Sequence, residues 1–393
     1  MSSSPPPPTA PEVGSPDAWT RKLLDWVGRD KLSLRAIQSS AVPVVQTWPL
    51  SFTGSSSEYF RVWMVNVALS ILTLGLYGPW ARVRSRQYFY GHTLLGGHNF
   101  AYTARPRALL GGYLLIGALF AVFTLTQNFD GAAWISLLLL GLLAALYPWL
   151  LFRSLRFQAH NSLHRGLRFS FLGGVGGAYL WYGLLTLTLP LTFGLTLPLQ
   201  SALQRRYLAS GLSYGAARGS FRGGIGGVYL LYLLAGLGLL GVAMLLIIVS
   251  VALSALRVFD GLGAKRQLSQ LLGALLPLGL ILALSALCYA AAGQGVRAAL
   301  LRYSLNNLQF GQTTRLRAEF SPWTVAWIAF SSGLVQAVTF GLATPWAAVR
   351  RNRYLLGRVQ VLTLTSLDDF SALPRQDEGA LGEAAAELLG FRL

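Results

Sequence analysis

Four histidines, one cysteine and 14 acidic residues are all that this 393-residue chain offers for acid–base, nucleophilic or thiolate chemistry. His160 and His164 stand four apart, a spacing at which two imidazoles on one helix face can share a metal. No carboxylate or thiolate accompanies them, so they are read as packing or headgroup-contacting residues; His92 and His98 have no such partner either. Cys288 lies in an apolar run, where a single thiol is a small packing residue and no disulfide framework can form. The acids avoid the apolar runs: Asp130, Asp260 and Glu319 fall in loops, Glu58 stands at the mouth of the first run, and the rest sit near the termini. A proton-driven carrier needs an ionisable group inside the membrane, and none is supplied. No Gly-x-Ser-x-Gly elbow occurs. The Gly-Gly-x-Gly-Gly stretches at 173–177 and 223–227 introduce apolar helices instead of following strands, which argues against a phosphate cradle. The chain is therefore expected to be neither an enzyme nor a holder of a cofactor or metal.

Two other residue sets carry chemistry of a different kind. The first is arginine: Arg82, Arg84, Arg86, Arg153, Arg156, Arg205, Arg206, Arg302, Arg350 and Arg351 recur just after apolar runs. At that position their stems can snorkel and their guanidinium groups reach lipid phosphates. The second set is a signature, Thr-(Leu/Phe)-Gly-Leu-x-x-Pro, which occurs at 73–79, 192–198 and 339–345. Glycine and proline interrupt helices, and broken helices in lipid either aim the next element or line a polar path. Thr73, Gly75, Pro79, Thr192, Gly194, Pro198, Thr339, Gly341 and Pro345 are the candidate binding residues on the second reading.

The elements that position these residues follow from composition. The chain is 53% hydrophobic and 12% charged, with a mean hydropathy of +0.50. Residues 131–152, 225–256 and 268–292 contain no charged side chain, and each run is long enough to cross a hydrocarbon core about 30 Å thick. The net charge of +18 lies between apolar runs, the pattern of loops facing anionic headgroups, so no nucleic-acid partner is expected. Residues 1–17 are Pro/Ser-rich and read as a disordered tail; 18–50 hold an amphipathic basic segment and linker; 51–370 form the membrane domain; 371–393 are an acidic tail.

An internal repeat organises the membrane domain. Units near 80–102, 149–171, 199–221, 298–320 and 346–368 each pass from an apolar helix into an arginine-bearing turn and then a short alternating stretch. Eight residues into these units stand Tyr88, Phe157, Tyr207, Asn306 and Tyr354. The expected fold is an all-α polytopic helical bundle. Four spanning helices come from the paired runs at 108–152 and 225–292. The three short runs (58–80, 175–199, 322–346) are either single spans, giving seven in all, or re-entrant hairpins. Re-entrant runs would place 21 basic residues on one face against 3 on the other, which the positive-inside rule favours. A run of about 25 residues is nonetheless also the right length for one crossing.

The stretch from Phe52 to Tyr102 resembles the opening signature of the YjgN-like family of bacterial membrane proteins. The matching pieces are Phe52-x-Gly54, Glu58-Tyr59-Phe60, Asn66, Thr73-Leu74-Gly75-Leu76, Pro79-Trp80-Ala81 and Tyr88. Similarity continues through Arg156-Phe157-Gln158-Ala159, Asn161-Ser162, Arg168-Phe169, Tyr354-Leu355-Leu356-Gly357 and Leu367-Asp368-Asp369. The resemblance implies a multi-pass protein of the bacterial inner membrane, with most basic loops cytoplasmic. It brings no established activity, so no catalytic residue is carried over. Two functions fit. One is a transporter- or channel-like protein with its path at the broken segments. The other is a non-transporting, lipid-interacting envelope scaffold that holds anionic membrane lipids with its basic units.

Overall fold

Glycine pairs and short alternating stretches fold into tight β-hairpins wherever the chain leaves a basic helix. Gly96-Gly97 and Arg165-Gly166 take positive φ at both positions (58° and 78°; 50° and 79°), the geometry that matches the twist of two paired strands. In the computed structural model, which describes residues 45–127, 129, 133–260 and 267–364, these hairpins alternate with pairs of helices. The expectations for residues 1–17, for most of 18–50, for the loop position of Asp130 and for the acidic tail lie outside the described residues.

The chain enters on β1 (Gln46–Phe52) and forms a short helical hairpin, α1 (Ser56–Leu72) and α2 (Gly78–Gly91). Strands β2 (Thr93–Leu95) and β3 (His98–Tyr102) follow, then a long helical hairpin, α3 (Pro106–Thr126) and α4 (Ala133–His160). After β4 (Ser162–His164) and β5 (Leu167–Phe171), α5 (Val175–Ala178) runs through a π-helical turn (Tyr179–Leu184) into α6 (Leu185–Leu191), and α7 (Leu197–Gly211) returns. Strands β6 (Leu212–Tyr214) and β7 (Ala217–Phe221) lead to the longest hairpin, α8 (Ile225–Asp260) and α9 (Gln267–Asn306). Strands β8 (Leu308–Phe310) and β9 (Thr314–Ala318), α10 (Pro322–Val338), α11 (Thr344–Leu356) and β10 (Val359–Thr363) complete the described chain.

The ten strands close an antiparallel barrel, with β1 pairing β2 on one side and β10 on the other. This overturns the all-α expectation. Each strand is three to seven residues long, too short for its alternation to stand apart from a turn, and closure joins Gln46 to Thr363, a pairing no local pattern reveals. The span count changes as well. Three helices among the described residues are long and apolar enough to cross a membrane, Pro106–Thr126, Trp134–His160 and Ala283–Asn306, instead of four secure spans or seven. Ile225–Gly241 and Val175–Leu191 are shorter apolar helices.

Because every β-hairpin turns at one rim of the barrel, every helix must attach at the other. The helices also close a ring. Each packs on its neighbours in sequence, and α11 meets α1 where the chain ends come together. Phe52, Tyr59 and Val349 form a core there, and Arg353 Nη2 donates to the Gly54 carbonyl at 2.9 Å. Directly opposed residues of an antiparallel pair share a face, so the pairings Trp48–Val361, Leu50–Leu95, Phe100–His164 and Phe169–Tyr214 put these side chains on the barrel's inner face. Leu95 and Val361 pack there with Trp48, Leu50, Phe100 and Leu316.

Candidate functional site

The three Thr-(Leu/Phe)-Gly-Leu-x-x-Pro segments are the tips of the short helical hairpins. Two successive residues adopt the left-handed conformation in each: Leu74 and Gly75, Phe193 and Gly194, Phe340 and Gly341. The glycine N–H reaches back five residues in the closing pattern of a Schellman end, Gly75 to the Ser70 carbonyl at 2.7 Å, Gly194 to Leu189 at 2.9 Å and Gly341 to Gln336 at 2.8 Å. The threonine hydroxyl serves both arms. Thr73 Oγ1 donates to the Leu69 carbonyl at 2.7 Å and accepts from the Tyr77 N–H at 3.0 Å. Thr339 does the same with Val335 and Ala343. Thr192 donates to Thr188 and contacts Thr196 Oγ1 at 2.9 Å. Pro79, Pro198 and Pro345 occupy the first turn of the returning helix, where no N–H is needed, and all three are buried. The tips themselves are apolar and uncovered: Leu74 is 95% exposed, Phe193 97% and Phe340 97%.

At the barrel end, four of the five helical hairpins are fastened by a tyrosine of the returning arm. Tyr88, Tyr207 and Tyr303 donate to the carbonyls of Ser55, Gly174 and Gly224 at 2.7–2.8 Å, and Tyr354 Oη accepts from the Ser321 N–H at 3.0 Å. Gly177 and Gly227 make room for this, since a Cβ at either would run into the Tyr207 or Tyr303 ring. The Gly-Gly-x-Gly-Gly stretches thus admit an aromatic latch. In the fourth unit the counterpart of Tyr88 is Tyr303, not Asn306. The β8–β9 turn has three residues where β2–β3 and β4–β5 have two, and β9 ends at Ala318, two residues before Phe320, so a unit anchored on Phe320 is displaced by three positions. Asn306 instead brackets Ala318, accepting from its N–H at 2.6 Å and donating to its carbonyl at 3.2 Å. Phe157 takes the position in the second unit without a hydroxyl.

Between tip and latch lie the arginines. Arg82 stacks on Tyr113, Arg153 on Trp149 and Arg350 on Trp346, with 4.9–5.2 Å from guanidinium carbon to ring centre. Arg84 donates to Tyr77 Oη at 3.2 Å and Arg86 to Tyr102 Oη at 2.9 Å. Arg350 also donates to Ser331 and Ser332, and Arg205 to Ser304 Oγ at 2.7 Å and the Leu300 carbonyl at 3.2 Å. Arg156, Arg206, Arg302 and Arg351 stand exposed. Neither Glu58 nor Glu319 faces this belt: Glu58 approaches His92 at 3.7 Å, and Glu319 holds Arg317 at 2.7 Å. The fold therefore brings the arginines together as a belt of partly stacked cations and keeps the candidate tip residues apart at three separate points.

Helix rise sets the depth of the belt. Arg84 and Arg350 follow the first residues of α2 and α11 by six positions, about 9 Å, and Arg206 follows that of α7 by nine, about 13 Å. Arg153 stands twenty positions along α4, about 30 Å. Beside the belt, between α1 and α2, runs an open groove of about 470 Å3 lined by Trp63, Asn66, Ser70, Ile71, Arg82 and Ser85 among others. Asn66 spans its floor, donating to the Ala81 carbonyl at 3.3 Å.

The histidine pair separates. His160 ends α4, with Nε2 3.1 Å from Arg168 Nη1, and His164 lies in β4 facing the barrel interior, so they do not share a helix face. His164 is 3% exposed, rests on Phe100 with ring centres 4.3 Å apart, and neither ring nitrogen has a hydrogen-bond partner. Burial first, and then the charges of His98 and Arg165, lower its pKa from 6.5 to about 4, against a weak opposing pull from the Asn99 backbone. The sequence marked His164 only by its spacing from His160; its burial inside the barrel was not legible there, because its neighbours come from pairing across the barrel. Cys288 is half-buried in α9.

Comparison with known proteins places these features in a family. The sequence model of a family described as "Bacterial protein of unknown function (DUF898)" matches residues 47–388. Inner membrane protein YjgN of Salmonella typhimurium is 35% identical over 133 residues, covering 34% of this chain and 33% of the relative. Inner membrane protein YjgN of Escherichia coli K12 is 34% identical over 125 residues, covering 30% of each. The chain thus matches about a third of the length of these curated relatives. No solved structure matches it.

Proposed function

The chain belongs to the DUF898 family and is an integral protein of the inner membrane, and from that premise we propose that it organises anionic lipid at one membrane face and transports nothing. The arginine belt is the observation that carries this reading. Several of its cations are stacked on tryptophan or tyrosine, and among the described residues they meet no carboxylate of their own. Aromatic rings at membrane interfaces beside snorkelling arginine are the arrangement that phosphate headgroups fill. On this reading the five helix-plus-hairpin segments are copies of one headgroup-binding repeat. The barrel, whose strands and flanking turns carry Arg105, Arg165, Arg168, Arg218, Arg222, Arg315, Arg317 and Arg358 among the described residues, faces the cytoplasm.

The hairpin tips favour this reading over a path for solute. Thr73 and Thr339 each bond the backbone of both arms, Thr192 bonds the Thr188 carbonyl and the Thr196 hydroxyl, and the residues around them present bare hydrocarbon. A substrate would find no free polar group there. The test is thermal unfolding of the purified chain in neutral detergent with added anionic phosphatidylglycerol or neutral phosphatidylcholine. The anionic lipid raises the midpoint more, the difference shrinks with salt, and Arg84→Gln, Arg153→Gln and Arg350→Gln together reduce it. Equal stabilisation by both lipids overturns the reading.

A further inference from the structure

We propose that the three short helical hairpins are wedges that enter only one leaflet and bend the membrane convexly toward the barrel. The inference rests on the lipid reading in one respect, that the arginine belt marks the headgroup level. From that level the tips reach about 9–13 Å inward at 1.5 Å per residue, less than the roughly 15 Å of one leaflet's hydrocarbon. The same measure carries α4 about 30 Å past Arg153, the full hydrocarbon thickness. The short hairpins end in one leaflet while the long ones continue.

The tips are built for acyl chains. Around Leu74 the exposed side chains are Ile71, Leu72 and Leu76; around Phe193 they are Leu191 and Leu195; around Phe340 they are Val338 and Leu342. In all three turns the glycine N–H is closed within the hairpin, and in the first and third the threonine also closes the Tyr77 or Ala343 N–H, as hydrocarbon favours. The left-handed leucine and phenylalanines are an unfavourable choice in water, where asparagine or glycine would serve the same turn. Their exposure identifies lipid as the surrounding solvent.

The consequence is an area mismatch. Ten helical arms among the described residues, with α5, the π-helical turn and α6 forming one of them, stand at the barrel-side leaflet, and six belong to hairpins that stop within it; the two arms of each short hairpin add nothing to the other leaflet. A helix about 10–12 Å across occupies roughly 90 Å2, so the barrel-side leaflet is expanded by about 500 Å2 per molecule. An inclusion of that shape lowers its energy where the barrel-side leaflet is convex.

The full chain reconstituted into neutral phosphatidylcholine vesicles tests this without the headgroup preference. Single-vesicle fluorescence of labelled protein gives its surface density as a function of diameter, with outward-facing barrels selected by a label on an engineered cysteine at Thr313. Density at least about twofold higher in vesicles of about 50 nm than in those of about 200 nm is expected, as for other curvature-sensitive insertions. The variant Leu74→Asn/Phe193→Asn/Phe340→Asn keeps residues that tolerate the left-handed turn and removes the apolar tips. It flattens the dependence on diameter while leaving stabilisation by anionic lipid in place. Equal wild-type density at all diameters overturns the wedge, and so does a variant that sorts as the wild type does. Loss of the anionic-lipid preference with curvature sorting retained overturns the headgroup reading alone.

Discussion

Replacing His164 with leucine removes the one buried imidazole of the barrel, and its effect is predicted to depend on pH in a defined way. The unfolded chain's imidazole takes up a proton near pH 6.5, whereas in the folded barrel it does so only near pH 4. Between these values the unfolded state binds more protons, so the folded state is favoured above pH 6.5 and loses stability as the pH falls through the window. Treating the two pKa values as a single linked site, the loss at pH 4.5 relative to neutral is about 2.5 kcal/mol. At pH 7 the substitution removes a donor and an acceptor that lack partners, each of which costs about 1–3 kcal/mol, and gives up the stacking on Phe100, worth about 0.5–1.5 kcal/mol. The variant should therefore be at least as stable as the wild type at neutral pH. Denaturation in mild detergent, followed by tryptophan emission at pH 7 and pH 4.5, measures both terms. The wild type should weaken on acidification and the variant should weaken less by about 2.5 kcal/mol, since the lowered Glu58 carboxyl titrates alike in both. Identical pH dependence in the two proteins would refute the reasoning, because it would mean that the imidazole is solvated or protonated inside the barrel.

Two further substitutions probe the barrel and the tips. Gly219→Ala places a methyl group against the Ala209 carbonyl oxygen, with no side chain to give way, and should abolish recovery of folded protein. Gly112→Ala, where nothing lies nearby, should elute as the wild type does in size exclusion. Thr73→Val keeps the shape but leaves the Tyr77 N–H without its acceptor in an apolar setting, a loss of about 1–3 kcal/mol that thermal unfolding would register.

How legible this architecture was depends on the range of the interactions involved. Helix breaks were readable because Gly75, Pro79 and their counterparts act within a few residues of themselves. The belt arginines were likewise readable, since snorkelling depends on position along one helix. The stretch from His98 to Tyr102 alternates, and it is a strand, yet nothing local says that its partner is the segment at 162–164. Nor could spacing show that the latch is residue 303 and not 306, because the β8–β9 turn is one residue longer and β9 ends at Ala318, two residues before the Phe320 on which the spacing is anchored. Hydropathy overweighted the short runs, whose apolar residues are explained equally well by a span and by a wedge. Only the direction of the returning arm separates the two.

Closure explains why the fold runs to five units. A β-hairpin of three- and five-residue strands is unstable alone, and an open row of such hairpins would leave two unpaired edges to recruit other chains. Joining β1 to β10 removes both edges, and the first and last strands thereby form a fifth hairpin from opposite ends of the sequence. The same closure brings α11 onto α1, where Phe52, Tyr59 and Val349 share a core. Barrel and helix ring are consequently tied in the same place, so the arginine levels of neighbouring hairpins are fixed relative to one another. A belt of cations with that rigidity can hold a patch of headgroups in one plane, which separate snorkelling side chains on a loose bundle could not do.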